Sequence, residues 1–430
     1  MTLTMPGYRP RLVDDEIAQV LRIMGAVCIE GPKWCGKTWS ALNHANSSID
    51  LSNPGNDFQN RRLAELDPNL VLTGDVPHLI DEWQEVPRIW DTVRTSVDAQ
   101  QTKGRFVLTG SSTPVRKGIL HSGTGRIGTV RMHTMSLFES GDSTGAVSLS
   151  DLFSNTFENR LTGDVDLNRL IYLTVRGGWP ASIGSESSDA SKISTLYLRS
   201  IRDEDFKKID GIERNADKIG MLIRSLARNE STLASNNKLI SDISEEYETD
   251  LSAKTVSDYL EVLNRMFLIE DQYAFNPGLR SSYRIGKTAK RHLADPSLAA
   301  AAIGANTENL LKDLNTFGFL FEALCERDLR VYSQSLGGTI GHYRDGRGNE
   351  IDTAVQLPDG RWGAFEIKLG TNQVDEAAEK LLTFTEKIRR DGGRVPEFLC
   401  VIAGLSSYAY RREDGVYVVP VTALRDRPAS

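Results

Sequence analysis

The stretch Gly31-Pro-Lys-Trp-Cys-Gly-Lys-Thr38 constrains this chain more than any other. It fits G-x-x-x-x-G-K-[ST] at every fixed position, after the apolar run "GAVCIE" and before the helix-like "KTWSALNHA". A strand must end and a helix begin within a few residues. Between them the backbone N–H groups turn inward around an anion. Gly31 and Gly36 permit angles and a close approach that a Cβ would block. Lys37 then sets an ammonium on the β and γ phosphates, and the Thr38 hydroxyl binds Mg²⁺. The positive end of the helix faces the triphosphate. The expected nucleotide site is therefore Gly31, Pro32, Lys33, Gly36, Lys37 and Thr38, with ATP and Mg²⁺ as ligands. Trp34 is unusual inside such a loop; a surface plug and a contact to the nucleotide both stay open.

Such a loop needs a second carboxylate site. "VPHLIDEWQEVP", residues 76–87, places Asp81 and Glu82 where a parallel strand ends. Asp81 suits Mg²⁺ through water, and Glu82 suits the polarising of an attacking water, which makes ATP hydrolysis the expected reaction. A further strand, "GRFVLTGSS" at 104–112, ends in small hydroxylated residues, with Thr109 and Ser111 equally eligible at the γ-phosphate. Arg116 and Arg126 compete for the role of an arginine reaching a neighbour's ATP, with a plain surface arginine as the bland alternative. An arginine acting in trans implies a homo-oligomer.

"GPKWCGKT", "LIDEWQEVP", "FVLTGSS", "GTGR" and "MSLFE", in this order and spacing, resemble an AAA+-type prokaryotic ATPase family. In that family the ATPase core is followed by a C-terminal domain of unknown function. The resemblance implies an α/β class with a doubly wound parallel sheet covered by helices on both faces. This chain has Trp34-Cys35 where the family usually has Gln-Val or similar, which leaves phosphate binding intact because those side chains point away.

Four segments are expected: the ATPase core over 1–145, a helical lid over 146–232, a winged helix-turn-helix over 233–295 and a nuclease-like domain over 296–430. In the lid, Arg199 and Arg202 are in reach of a nucleotide, though exposed helix charges are the stronger reading. In the third segment, two amphipathic helices, the second capped by Ser252, precede the strand "FLIEDQYAF" and a basic stretch. Such a unit binds DNA or serves as a packing module. For DNA, Lys254, Arg280, Arg284, Lys287 and Lys290, together with Arg291, are the expected phosphate contacts.

The C-terminal segment sets Glu322 on a helix, Asp352 on a strand, and Glu366 and Lys368 two apart on the next strand, hence on one face. Helix-Glu, strand-Asp, strand-Glu-x-Lys resembles the restriction-endonuclease-like PD-(D/E)XK fold. That resemblance implies Mg²⁺ on Asp352 and Glu366, with Glu322 adding a ligand or orienting water and Lys368 activating water or steadying the charged phosphate. The structural alternative is a strand pair with exposed carboxylates and a lysine salt bridge.

Composition narrows the field further. The chain has 430 residues and a formal net charge of −7, which argues weakly against a general nucleic-acid coat and leaves room for a local basic face. No apolar run reaches the length of a membrane span. Cys28, Cys35, Cys325 and Cys400 form no CxxC or zinc spacing, so a reducing cytoplasm is the expected home. The six histidines are scattered and suggest no metal site. The resulting expectation is an ATP-hydrolysing protein that couples turnover to DNA binding or remodelling, with Mg²⁺-dependent cleavage as an added possibility. The rival is a signalling or scaffold NTPase that touches no DNA; a small-molecule kinase is a weaker third.

Overall fold

Strands β1 (Ala26–Glu30), β2 (Ser47–Asp50), β3 (His78–Asp81), β4 (Phe106–Gly110) and β5 (Ile127–Arg131) form a parallel sheet in the order β2-β3-β4-β1-β5. The computed structural model describes residues 2–112, 122–206, 212, 214–249, 251–276, 288–344 and 349–427. Both faces of this sheet are apolar, as parallel strands require. Ala26, Cys28, Phe106 and Leu108 pack against Ile89, Trp90 and Val93 on one face. Val27, Ile29, Leu79 and Val107 pack against Ile17 and Ala41 on the other. The doubly wound layout expected for the N-terminal part is present. β4 lies between β1 and β3, so the ends of β1, β4 and β3 stand side by side at one edge of the sheet.

The chain then departs from the expected partition. β6 (Val147–Ser148) pairs in parallel with β16 (Leu424–Arg425), and β7 (Arg160–Leu161) pairs with β14 (Tyr408–Arg411). The segment 147–161, expected in the lid, thus lies with the C-terminal sheet. Its packing explains this: Phe153 meets Phe398 edge-on at 4.9 Å between ring centroids.

The helices Leu167–Arg176, Ser187–Ser200 and Ala216–Arg228 form the helical unit, and helix Pro296–Ala302 packs back onto all three. Residues 296–302 therefore belong with these helices rather than with the nuclease-like segment. Helices Asn236–Tyr247 and Ala253–Arg265 follow the third of them. Ser252 caps the latter, its Oγ accepting from the Thr255 N–H at 3.1 Å, as expected. Next come two antiparallel strands, β8 (Ile269–Gln272) and β9 (Lys290–Leu293). Arg116, Arg280, Arg284 and Lys287 lie outside the described residues.

The C-terminal unit opens with the long helix Leu314–Ser335. Three antiparallel strands follow, β10 (Thr339–Arg344), β11 (Glu350–Gln356) and β12 (Trp362–Lys368). Helix Val374–Arg390 then leads to β13 (Phe398–Ala403), parallel to β12, and β15 (Tyr417–Pro420), parallel to β13. One apolar core runs from the helical unit into this sheet, linking Trp179, Leu222 and Leu263 with Phe321, Phe365 and Ile402. Among the described residues no helix is long and apolar enough to cross a membrane.

Candidate functional site

The phosphate loop leaves β1 at Gly31 and enters helix Lys37–Asn43 at Gly36. A Cβ on Gly31 would lie 2.2 Å from the Met132 carbonyl oxygen, and Gly36 has φ 105°, so both positions require glycine. Lys37 is buried, and its Nζ donates to the Gly31 and Pro32 carbonyl oxygens at 2.9 Å each. Among the described residues the ammonium thus has only neutral acceptors, which leaves its charge to meet an anion.

The acidic partners sit at the neighbouring strand ends. The Thr38 hydroxyl donates to both Asp81 oxygens, at 3.2 and 3.1 Å. The Thr109 hydroxyl also donates to Asp81 and accepts the Glu82 N–H at 3.1 Å. Ser111 donates instead to Glu82 Oε2 at 3.0 Å, as does the Gln84 side-chain amide. The sequence left Thr109 and Ser111 interchangeable; the structure gives each its own carboxylate. Burial pushes the Asp81 carboxyl up to about 6. Among the described residues no cation partner offsets that penalty, so the carboxylate is suited to receive one. Thr38 and Asp81 together offer the hard oxygen donors that Mg²⁺ takes beside phosphate, so these residues fit the ion.

Sequence reasoning missed what holds the loop. Arg11 is 5% exposed; it donates to the Cys35 carbonyl at 2.8 Å and the His133 carbonyl at 2.9 Å, and pairs with Glu139 at 3.0 Å. Nothing in its sequence neighbourhood marks it. The helical unit also touches the loop. The Lys33 ammonium pairs with Asp205 at 2.6 Å, and the Tyr197 hydroxyl donates to the Lys33 carbonyl at 3.2 Å. Trp34 stays 59% exposed with its ring 5.8 Å from that of Tyr197. Arg199 is exposed, and Arg202 pairs with Asp203 at 2.8 Å. Arg126 lies at the opposite edge of the sheet, where its carbonyl accepts from Gly25 and Ala26 and its Nε meets Asp98 at 2.7 Å. From there it cannot reach its own loop.

The C-terminal residues form a second charged cluster. Glu366 is fully buried, with Lys380 at 2.8 Å on one oxygen and Lys368 at 3.0 Å on the other. Asp352 lies 3.6 Å from Lys368 and accepts the Ile367 N–H at 2.8 Å. Lys290 was expected to contact DNA. It is instead 1% exposed, with its ammonium 2.7 Å from Glu322 and 3.3 Å from Glu326. A buried, doubly paired ammonium cannot meet a DNA backbone, so that expectation is corrected. Glu326, one helical turn beyond Glu322, also contacts His292 at 2.6 Å, and His292 meets Glu230 at 3.0 Å. Burial alone would raise Glu326, but His292 and Lys290 outweigh it and hold this carboxyl well below its ordinary range. Burial would likewise lower His292, yet Glu326 and Glu230 push it up to about 9. Burial, only partly offset by Lys290, pushes Glu322 up to about 8.

The residues expected to bind a metal here thus share one patch, but lysines occupy them. Among the described residues no group of three or more His, Cys, Asp or Glu is placed to hold a metal ion. Of the expected DNA contacts, Lys254 is exposed, on a helix face shared with Asp258 and Glu261.

Residues 24–140 match the AAA domain family. Residues 167–309 match a domain of unknown function (DUF8612) and residues 317–424 another (DUF4143), so unassigned domains follow the ATPase-like segment as the resemblance implied. Uncharacterized proteins of Mycobacterium bovis and Mycobacterium tuberculosis are each 24% identical over 348 residues, spanning 80% of this chain and 70% of the relative. Among solved structures, a Walker-type ATPase of Pyrococcus abyssi matches with TM-score 0.43 at 14% identity, over 70% of this chain and 97% of the other. The Orc1 protein of Aeropyrum pernix, solved with DNA, matches with TM-score 0.26 at 14% identity, over 73% of this chain and 96% of the other.

Proposed function

We propose that the chain binds Mg·ATP at the edge formed by β1, β3 and β4 and hydrolyses it. One observation carries this reading: among the described residues Lys37 is satisfied only by carbonyls, while Asp81 is satisfied only by hydroxyls. An uncompensated cation and an uncompensated carboxylate at a glycine loop suit a phosphate and its metal. In this reading the loop N–H groups and Lys37 hold the phosphates, and Thr38 and Asp81 hold Mg²⁺. When bound, the ion draws charge from the phosphoryl oxygens. Glu82, steadied by Ser111 and Gln84, orients and deprotonates the attacking water. Thr109 keeps Asp81 in place. Arg126 faces away from its own loop and so would serve a neighbouring copy in a homo-oligomer.

The ATPase-like segment is tied to the rest of the chain beyond β5. Arg131, at the end of β5, pairs with Glu270 on β8 at 2.8 Å, and its carbonyl accepts from Gln334 at 2.8 Å. Asp295 gathers Thr134 at 2.7 Å, the Gly178 N–H at 2.9 Å and Arg327 at 3.2 Å. These contacts join the segment beyond β5, the helical unit and the long C-terminal helix. The test is ATP turnover by the full chain, with Lys37→Ala as control. Turnover that survives this substitution would remove the loop from the reaction.

A second reading makes DNA the effector of this turnover. Its support is the helix pair followed by antiparallel β8 and β9, an order shared with winged helices, with Lys254 exposed at the start of the second helix. The stretch between β8 and β9 carries Arg280, Arg284 and Lys287 in sequence. Against it, Asp258 and Glu261 share the exposed helix face, which suits the protein-contact rival. Turnover with duplex DNA across a salt series decides: stimulation that fades with salt supports DNA, and no response at any salt supports a protein partner.

A further inference from the structure

The C-terminal carboxylates are arranged as a nuclease-like resemblance would have them, yet the charges around them do not fit a resident divalent cation. Four carboxylates (Glu322, Glu326, Asp352 and Glu366) face three ammoniums (Lys290, Lys368 and Lys380) and the His292 imidazole. Both Glu366 oxygens already hold a lysine within 3.0 Å. Lys290 comes from another part of the chain, strand β9. It reaches between Glu322 and Glu326 on the long helix and lies 3.4 Å from the Asp352 carbonyl oxygen on β11. It therefore touches two of the three elements from which a cation would draw ligands, the long helix and β11, while Lys368 and Lys380 hold Glu366 on the third, β12.

We infer that this cluster is a cation-independent clasp, in which the Lys290 ammonium takes the place of a divalent ion and fastens β9 to the long helix and β11. An ammonium brings one charge and a fixed tether where a free ion brings two charges and no tether. With three lysines present, an added divalent ion would meet strong repulsion at short range in a buried setting. Neighbouring contacts serve the same fastening. Gln272 on β8 donates to Thr353 at 3.2 Å, and Thr353 donates to Glu326 at 3.0 Å. His342 on β10 donates its N–H to the Tyr273 carbonyl at 3.1 Å, and the Phe275 N–H reaches the His342 carbonyl at 2.6 Å. Strands β8 and β9 are thus bound to the C-terminal unit through side chains, and the residues just after β8 through backbone. The inference is independent of ATP hydrolysis.

Mn²⁺ binding tests it. The full chain carrying Asp81→Asn, which silences the loop site, is titrated with Mn²⁺ while free ion is followed by electron paramagnetic resonance. With Lys290 present, no Mn²⁺ should bind at this cluster at millimolar concentrations. Adding Lys290→Met should open one Mn²⁺ site per chain, and adding Glu322→Gln should close it again. Lys290→Arg, which keeps the charge, should stay closed. Mn²⁺ bound with Lys290 in place and lost on Glu366→Gln would overturn the inference. So would a Lys290→Met chain that folds and still takes no Mn²⁺, because the ammonium would then not be occupying a cation's place. Should Lys290→Met not fold, the Glu366→Gln arm and the Lys290→Arg arm decide by themselves.

Discussion

The two charged centres use the same side chains, Asp, Glu and Lys, to opposite ends. At the phosphate loop, Lys37 leans on two carbonyls and Asp81 on two hydroxyls, so among the described residues neither charge is met by an opposite one. At the C-terminal cluster each carboxylate has a cationic neighbour, and Glu366 has two. A buried charge held by neutral dipoles keeps its field and can exchange partners for a ligand. A buried charge held by an opposite charge has spent that field on the fold, and removing one partner strands the other. The difference separates a site built to receive a ligand from one built to stay shut.

Substitutions can break this contrast. The largest effect should come from Lys37→Ala, with turnover falling by about a thousand-fold and little change in the unliganded melting temperature, because only two carbonyl contacts are lost. A large drop in melting temperature would place Lys37 with the structural lysines instead. Glu326→Leu should do the reverse. It takes one of two carboxylate partners from each of Lys290 and His292, both nearly inaccessible, leaving them Glu322 and Glu230, and should cost about 3 kcal/mol of stability. Per folded molecule, ATP turnover should be preserved; denaturant unfolding alongside a turnover assay gives both numbers. Glu82→Gln should hold ATP normally and slow hydrolysis by about a hundred-fold, and unchanged hydrolysis would move the base elsewhere.

The loop was legible because its chemistry is local. Gly31, Gly36, Lys37 and Thr38 lie within one turn of chain, and glycine at those places has a steric reason that survives any fold. Asp81 and Glu82 were legible as the end of an apolar strand. The C-terminal cluster was legible only in part. The period of two along β12 correctly put Glu366 and Lys368 on one face. Lys290 and Lys380 reach the cluster from strand β9 and helix Val374–Arg390, 76 and 14 residues along the chain from Glu366. No local pattern connects them to it. A basic run in sequence therefore suggested a nucleic-acid contact at Lys290, whereas its partners are carboxylates brought up by folding. Glu326 carried a usable signal, its spacing of four from Glu322 on one helix face. Residues 147–161 and 296–302 pack away from the segments in which they were expected for a similar reason, since short strands and helices take their partners from whichever sheet or bundle has an open edge.

The smallest expected effect concerns pH and sharpens the clasp side of the contrast. Glu326 and Glu230 push His292 up to about 9 against the opposing cost of burial, whereas the unfolded imidazole titrates near 6.5. A raised imidazole value means the folded state holds the proton more tightly. The stabilisation is then fully present below about 6.5 and is lost as pH rises through about 9. Glu322, raised to about 8 by burial, also makes stability fall with rising pH, from its unfolded value upward, so the slope of the intact chain mixes the two groups. His292→Gln separates them. Its melting temperature should lie below that of the intact chain, most of all below about pH 6.5, and the two curves should converge by about pH 9. A constant gap from pH 6 to 9 would mean that the imidazolium charge is not what the clasp uses.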